Sequence, residues 1–286
     1  MADHAFFGPG GNSTAFYDAG NKSTLSAPKW LSEIGLDAYE FEAGNGLTAG
    51  AATLAAIGKE AALHNIRMSY HTPYFISLSG VDPEKRLKSI GYIRQSLDAA
   101  SLLGAKTIVV HTGSAAKITR EEAMRLAADT LYKTLEAVGT PSAAIGLETM
   151  GKQNQLGTLD EVISLCRIDP HLVPVVDFGH MNARECGGVF KTVDDYYRVF
   201  YKIGDALGDG VGKNLHCHFS KIEWTAAGEK RHLTFEDSVY GPDYEPLIEA
   251  IVKNGLTPTI ISESAGTQSG DALAMKKQHD LLKGVL

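Results

Sequence analysis

Cysteine is scarce in this chain and forms no pattern. Cys166, Cys186 and Cys217 leave an odd count with no C-x-x-C spacing, which argues against a disulfide framework and against a thiolate zinc site. Long apolar runs are missing as well. No segment approaches the roughly 20 apolar residues of a membrane helix, and the opening MADHAFFGPGG has no basic start followed by an apolar stretch. A soluble, cytoplasmic protein with no membrane partner is expected. Lysine- and arginine-rich runs are absent, so no separate nucleic-acid arm is marked, and the formal net charge is −7. Neither a G-x-S-x-G elbow, a P-loop, nor a G-x-G-x-x-G fingerprint after a strand occurs, which leaves no signal for a serine hydrolase or a nucleotide-phosphate cradle. No linker, low-complexity stretch, repeat or obligate protein-partner segment divides residues 1–286, so one domain is expected.

What the chain does have is alternation. Short apolar runs at 4–9, 37–42, 67–72, 106–112, 144–149, 172–178, 214–220 and 257–264 read as strands. Between them, helical spacing predicts segments near 28–34, 47–64, 83–103, 119–138, 158–167, 192–207, 243–254 and 268–285. Strands alternating with helices make βαβ units and a parallel sheet, and eight units close a (β/α)8 barrel.

Potential metal ligands fall at the ends of these runs: His71 in HTPY, His111 in VVHTG, Glu148 in GLETM, Asp177 and His180 in VDFGH, and Glu263 in ISES. A barrel gathers the C-terminal ends of its strands around one mouth, so these residues converge although the chain separates them widely. The period of two puts Ala144 and Gly146 with Glu148, Val109 with His111, Val175 with Asp177, Asn214 and His216 with His218 and Ile261 with Glu263 on the inner face. So many ionisable groups in an interior must be paired or coordinated. Imidazole with carboxylate suits zinc, and the same mixture accepts manganese or iron.

In their order, H-x-x-Y from His71, H-x-G from His111, E-x8-G from Glu148, D-x-x-H from Asp177, H-x-S from His218, a basic stretch with His232, and E-[ST] at Glu263, these motifs resemble the endonuclease IV family of apurinic/apyrimidinic-site nucleases, within the xylose-isomerase-like barrels. The resemblance implies up to three zinc ions. His71 and His111 would hold the first, with Glu148 bridging to the second. Asp177, His218 and Glu263 would complete the second, and His180 and His232 would hold the third. It further implies hydrolysis on the 5′ side of an abasic site in duplex DNA, with Glu148 and Glu263 as catalytic groups and Tyr74 lining the substrate groove.

The chain departs from that pattern in places. Where the family has D-x-H, Lys230 stands two positions before His232, so either Glu229 takes the place of the missing acid or the third metal is weakly held. The segment EAGNGLTAG after the second strand has neither arginine nor an aromatic residue. Glu40 and Glu42 share strand parity and could face the mouth, which suits a sugar isomerase or epimerase, the alternative reading. Lys230 and Arg231 are the nearest basic pair for phosphate. His216 reads as a residue supporting a ligand from behind. His4, His64, His171 and His279 lie outside any constellation, and Gly8, Gly10 and Gly11 read as a sharp turn after the first strand.

Overall fold

The computed structural model describes residues 4–284. Met1, Ala2 and Asp3 of the opening stretch, and Val285 at the end of the expected last helix, lie outside the described residues. The strands are β1 (Phe6–Pro9), β2 (Ala38–Glu42), β3 (Arg67–His71), β4 (Thr107–His111), β5 (Ala144–Glu148), β6 (Leu172–Asp177), β7 (His216–Phe219), β8 (Ile222–Thr225), β9 (Gly228–His232) and β10 (Thr259–Ser262). Eight of them form one parallel sheet in the order β1-β10-β7-β6-β5-β4-β3-β2, and β8 and β9 form a separate antiparallel hairpin. The two ends of the large sheet meet: the Asp37 N–H donates to the Phe7 carbonyl at 3.1 Å and the Gly11 N–H to the Glu40 carbonyl at 3.0 Å. That contact requires Gly8, because a Cβ there would lie 1.8 Å from the Ala38 carbonyl oxygen. Gly11, at φ +68°, makes the turn expected of it.

Strand alternation sorts the side chains. Ile108, Val110, Ile145, Leu147, Val176, Cys217, Phe219 and Ile260 belong to the apolar core between strands and helices. Val109, Val175 and Ile261 are equally buried but stand apart from that core, on the inner face. Helices cover the outside where the periodicity places them. Pro83–Leu103 starts on an Asp82 cap and ends at Gly104 in the left-handed conformation. Arg120–Val138 and Leu159–Cys166 start on Thr119 and Thr158. Val193–Leu207 starts on Thr192. Among the described residues no helix is long and apolar enough to cross a membrane.

Three features were not expected from the sequence. Strand β7 begins at His216, because Asn214 caps the short helix Asp209–Lys213 with its side chain on the Gly210 carbonyl. A helix, Phe178–Arg184, follows β6 without a break, started by Asp177, whose Oδ1 accepts the His180 N–H at 2.6 Å. The basic stretch that carries His232 forms the hairpin β8–β9.

Candidate metal centre

Sheet register brings the donors together two by two. His111 is the register partner of Glu148, Asp177 of His218, and Glu42 of His71. Glu263 follows β10, its N–H on the Phe219 carbonyl at 3.1 Å. At the mouth, Glu148 occupies the centre. Its Oε2 lies 3.7 Å from His71 Nε2 and 3.2 Å from His111 Nε2. Its Oε1 lies 3.1 Å from His218 Nδ1, which is 3.3 Å from Glu263 Oε1. Two ligands about 2.1 Å from one tetrahedral zinc stand about 3.4 Å apart, so these separations are those of neighbouring ligands in a metal shell. Two donor groups share this carboxylate: His71, His111 and Glu148 form one, and Glu148, Asp177, His218 and Glu263 the other.

Buried atoms without partners point the same way. Glu148 Oε2 and Asp177 Oδ2 are enclosed and accept no hydrogen bond, an arrangement costly for a carboxylate unless a cation satisfies it. The histidines are turned for ligation. His71 Nδ1 lies 2.9 Å from the Thr72 carbonyl oxygen and His180 Nδ1 3.0 Å from that of Thr149, so each carries its proton there and turns a bare Nε2 to the centre. The donor set therefore fits zinc or a similar divalent ion.

The third group places Glu229 where an acid can join His180 and His232. His180, Glu229 and His232 bring ligand atoms within 4.8 Å of one another, and His180 Nε2 lies 3.5 Å from Glu229 Oε2. In a regular strand residues 229 and 232 point to opposite faces. Here the pairing runs Ile222 with His232, Glu223 with Arg231, then Trp224 with Glu229, so an extra residue is bulged out between them. A bulge restores a common face to an odd spacing. Gly151 makes room for it, since a Cβ at that position would stand 2.6 Å from Glu229 Cβ.

Electrostatics show what the cluster demands without a cation. Burial alone would raise Glu148, but the imidazoles of His111, His180, His218 and His71 crowded around it hold it well below the ordinary carboxylate range. Burial works against a charge on His71, yet the carboxylates of Glu42 and Glu148 outweigh it and raise this imidazole to about 10. Burial, with the nearby charges of Glu148 and Asp177, pushes Glu263 well above its usual range. Burial takes Glu42 to about 7. Protons thus occupy the places that a metal would otherwise compensate.

A cavity of about 900 Å³ opens over the groups, lined by His71, His111, Glu148, His180, Glu229, His232 and Glu263. Glu42, Lys152, Gln155 and Gln268 complete much of its wall. Tyr74 stands at the rim, 54% exposed, its ring stacked 5.5 Å from His111. Lys230 and Arg231 are placed otherwise than a phosphate contact would need: both bind Glu223, at 2.5 and 2.6 Å, and neither lines the cavity. Lys152 is the cation on the wall, and no sequence signal singled it out, nor Gln155 or Gln268. His216 and Glu40 lie beneath the mouth. His4, His64, His171 and His279 belong to none of the groups.

Fold and donor set together define a β/α barrel with candidate metal groups at its mouth. The chain belongs to the xylose isomerase-like TIM barrel family, whose model matches residues 28–284. It is 29% identical over 219 residues to an uncharacterized protein of Methanocaldococcus jannaschii, covering 76% of this chain and 78% of that one. It is 26% identical over 199 residues to a probable endonuclease 4 of Acholeplasma laidlawii, covering 68% of this chain and 66% of that protein, just under two thirds of its length. Among solved structures, a D-tagatose 3-epimerase-like protein superposes with TM-score 0.70 at 17% identity, covering 98% of this chain and 97% of that one. Endonuclease IV from Thermus thermophilus superposes with TM-score 0.68 at 17% identity, covering 98% and 100%. These two likenesses speak for the fold alone.

Proposed function

We propose that the protein is a metal-dependent phosphodiesterase that cuts duplex DNA on the 5′ side of an abasic site, leaving a 3′-hydroxyl and a 5′ deoxyribose phosphate. The observation that carries this reading is the third donor group, His180, Glu229 and His232, closed by the β9 bulge. Ketose–aldose interconversion needs one or two cations, whereas in-line displacement at phosphorus gains from further positive charge on the leaving oxygen. The relationship to probable endonuclease 4 proteins supports the same choice.

Zinc bound in these groups supplies Lewis acidity that brings water's pKa near neutrality and offsets phosphate charge. The chain's own residues do the rest. Glu148 and Glu263, on either side of His218 Nδ1, orient the attacking water, and Glu263, the more open of the two, takes up its proton. Tyr74 offers a ring to fill the gap of the missing base. Lys152 offers a cation to a flanking phosphate from the cavity wall.

One observation favours a second reading, a sugar epimerase: Glu42 places a further carboxylate on the wall of a cavity of about 900 Å³, a volume that suits a small ligand. A duplex carrying a tetrahydrofuran abasic analogue separates the two. This analogue has no aldehyde, so lyase chemistry cannot cut it. The metal-loaded protein should cleave it, spare undamaged duplex, and bind less tightly as salt rises. An uncut analogue together with epimerisation of a ketose would overturn the nuclease reading.

A further inference from the structure

Residues 150–155, after β5, belong to no strand or helix. Their carbonyls nonetheless converge on one side chain. Arg184, the last residue of the helix Phe178–Arg184, is buried. Its Nη1 donates to the Met150 and Lys152 carbonyls at 3.0 and 2.7 Å, and its Nη2 to those of Gln153 and Gln155 at 3.2 and 3.0 Å. These partners are all main-chain oxygens. A buried cation is costly unless its donors are satisfied, and a rigid planar fork is suited to engaging several acceptors at once. The Gln153 side chain returns the contact by donating to the Arg184 carbonyl.

What this loop supports is the hairpin. Gly151 lies between Met150 and Lys152, and its carbonyl accepts the Glu229 N–H at 3.0 Å. Lys152 bridges to Gly228, and the Gln153 N–H donates to the Ala227 carbonyl at 3.0 Å. Glu229 therefore stands on a peptide whose two flanking carbonyls Arg184 grips. Arg120, a second guanidinium on the loop, takes the Gln153 and Gln155 carbonyls at 3.1 and 3.0 Å, leaving the Gly151 end to Arg184. The helix that ends in Arg184 also carries His180, whose Nε2 lies 3.5 Å from Glu229 Oε2. One side chain thus ties together the two elements that supply facing ligands. We propose that Arg184 is a positioning residue that sets Glu229 opposite His180 through the Gly151 peptide and so pre-forms the third donor group. The proposal rests on the metal-centre reading given above.

Charge and position make opposite predictions for this residue. If Arg184 acted only through its charge, removing a cation near a zinc site would tighten the ion. If it acts as a clamp, the same change loosens the ion. Arg184→Met removes both the charge and the fork, whereas Arg184→Lys keeps the charge on a single ammonium that cannot reproduce the fork.

Chelator competition with zinc alone measures affinity ion by ion. Both variants should weaken one ion by about 10-fold and leave the other two unchanged. Hydrogen exchange in chelator-treated protein gives a second reading without metal: the Glu229 and Gln153 amides should lose protection in both variants, while those of β4 to β6 keep theirs. Gln153→Ala, which spares the cation, should show smaller losses at the same places, and it carries the test if neither Arg184 variant folds. An ion held as tightly as in wild-type protein, or more tightly, in either Arg184 variant overturns the proposal, as does wild-type protein that holds only two ions. Wild-type protein that binds no zinc overturns the metal-centre reading, whereas unchanged exchange at Glu229 overturns the clamp and leaves that reading standing.

Discussion

The strand-borne donors and the hairpin-borne donors are built by different means. His71, His111, Glu148, Asp177 and His218 sit on β3 to β7, where neighbouring strands lock their register. Their side chains are closed off from solvent apart from His111, at 19% exposure. Glu229 and His232 sit on a two-stranded hairpin, depend on a bulge to face the same way, and keep 14% and 26% of their side chains open. A one-residue slip in the barrel would turn every inward group outward. The same slip in the hairpin is absorbed by the bulge. The difference shows where such a centre tolerates change: an acid can move one position along β9, whereas Glu148 cannot move along β5.

The largest effect should therefore come from Glu148. Glu148→Ala removes the carboxylate shared by two groups and should cost two ions per chain, with kcat/KM on the abasic analogue falling by about 10³-fold or more. Elemental analysis and single-turnover cleavage check both. Loss of a single ion would break the contrast, because the carboxylate would then serve one group only.

Variants of the third group should be milder. His180→Ala or Glu229→Ala should lower metal content by one ion and leave the other two within error. Glu229→Asp, whose carboxylate stops one methylene short, should weaken that ion by about 10-fold. Removing Lys230 tests the bulge itself: a regular β9 then runs from Glu229 to His232 with one residue fewer, two apart and on one face, so the third ion should survive. Its loss in that variant would mean that the bulge does more than restore parity.

How much of this contrast the sequence carries follows from the same physics. Strand-end motifs with period-two parity are visible in a linear reading, so His71, His111, Glu148, Asp177, His218 and Glu263 could be placed on one rim before any coordinates. Glu40 and Glu42 were legible as facing inward by the same parity. The hairpin was not, because the bulge breaks alternation in a stretch already rich in charge, and GEKRH looks like solvated loop. The helix Phe178–Arg184 was hidden for another reason: at 7 residues it is too short to show a period, and its starting cap is Asp177, itself the last residue of β6. Lys152 reaches the cavity from the loop after β5, and loop geometry leaves no periodic trace.

Removing metal should expose the protons that the strand-borne groups hold. In chelator-treated protein His71, raised to about 10, keeps its charge at neutral pH. A folded-state pKa above the unfolded value of about 6.5 gives stability that is complete below that value and lost as pH rises through 10. Each such group costs about 1.4 kcal/mol per pH unit across that window. Thermal melts of metal-free protein should therefore fall between pH 8 and pH 10. Metal-loaded protein, in which the ligand nitrogens carry no proton to lose, should show a flatter profile. Matching slopes with and without chelator would mean that His71 is not a ligand.

The smallest expected effect separates two sets of basic side chains. Lys152 lines the cavity, whereas Lys230 and Arg231 each neutralise Glu223 on the hairpin. A cation already paired at the surface has less to offer a phosphate, and breaking that pair offsets part of any gain. Lys152→Ala should raise the dissociation constant for abasic duplex and reduce the slope of log K against log salt by about 1. Lys230→Ala with Arg231→Ala should change that slope less than the single Lys152 change does. If the double variant flattens the salt dependence by about 2 instead, both side chains leave Glu223 for the backbone of the DNA, and the hairpin, not the loop after β5, grips the duplex.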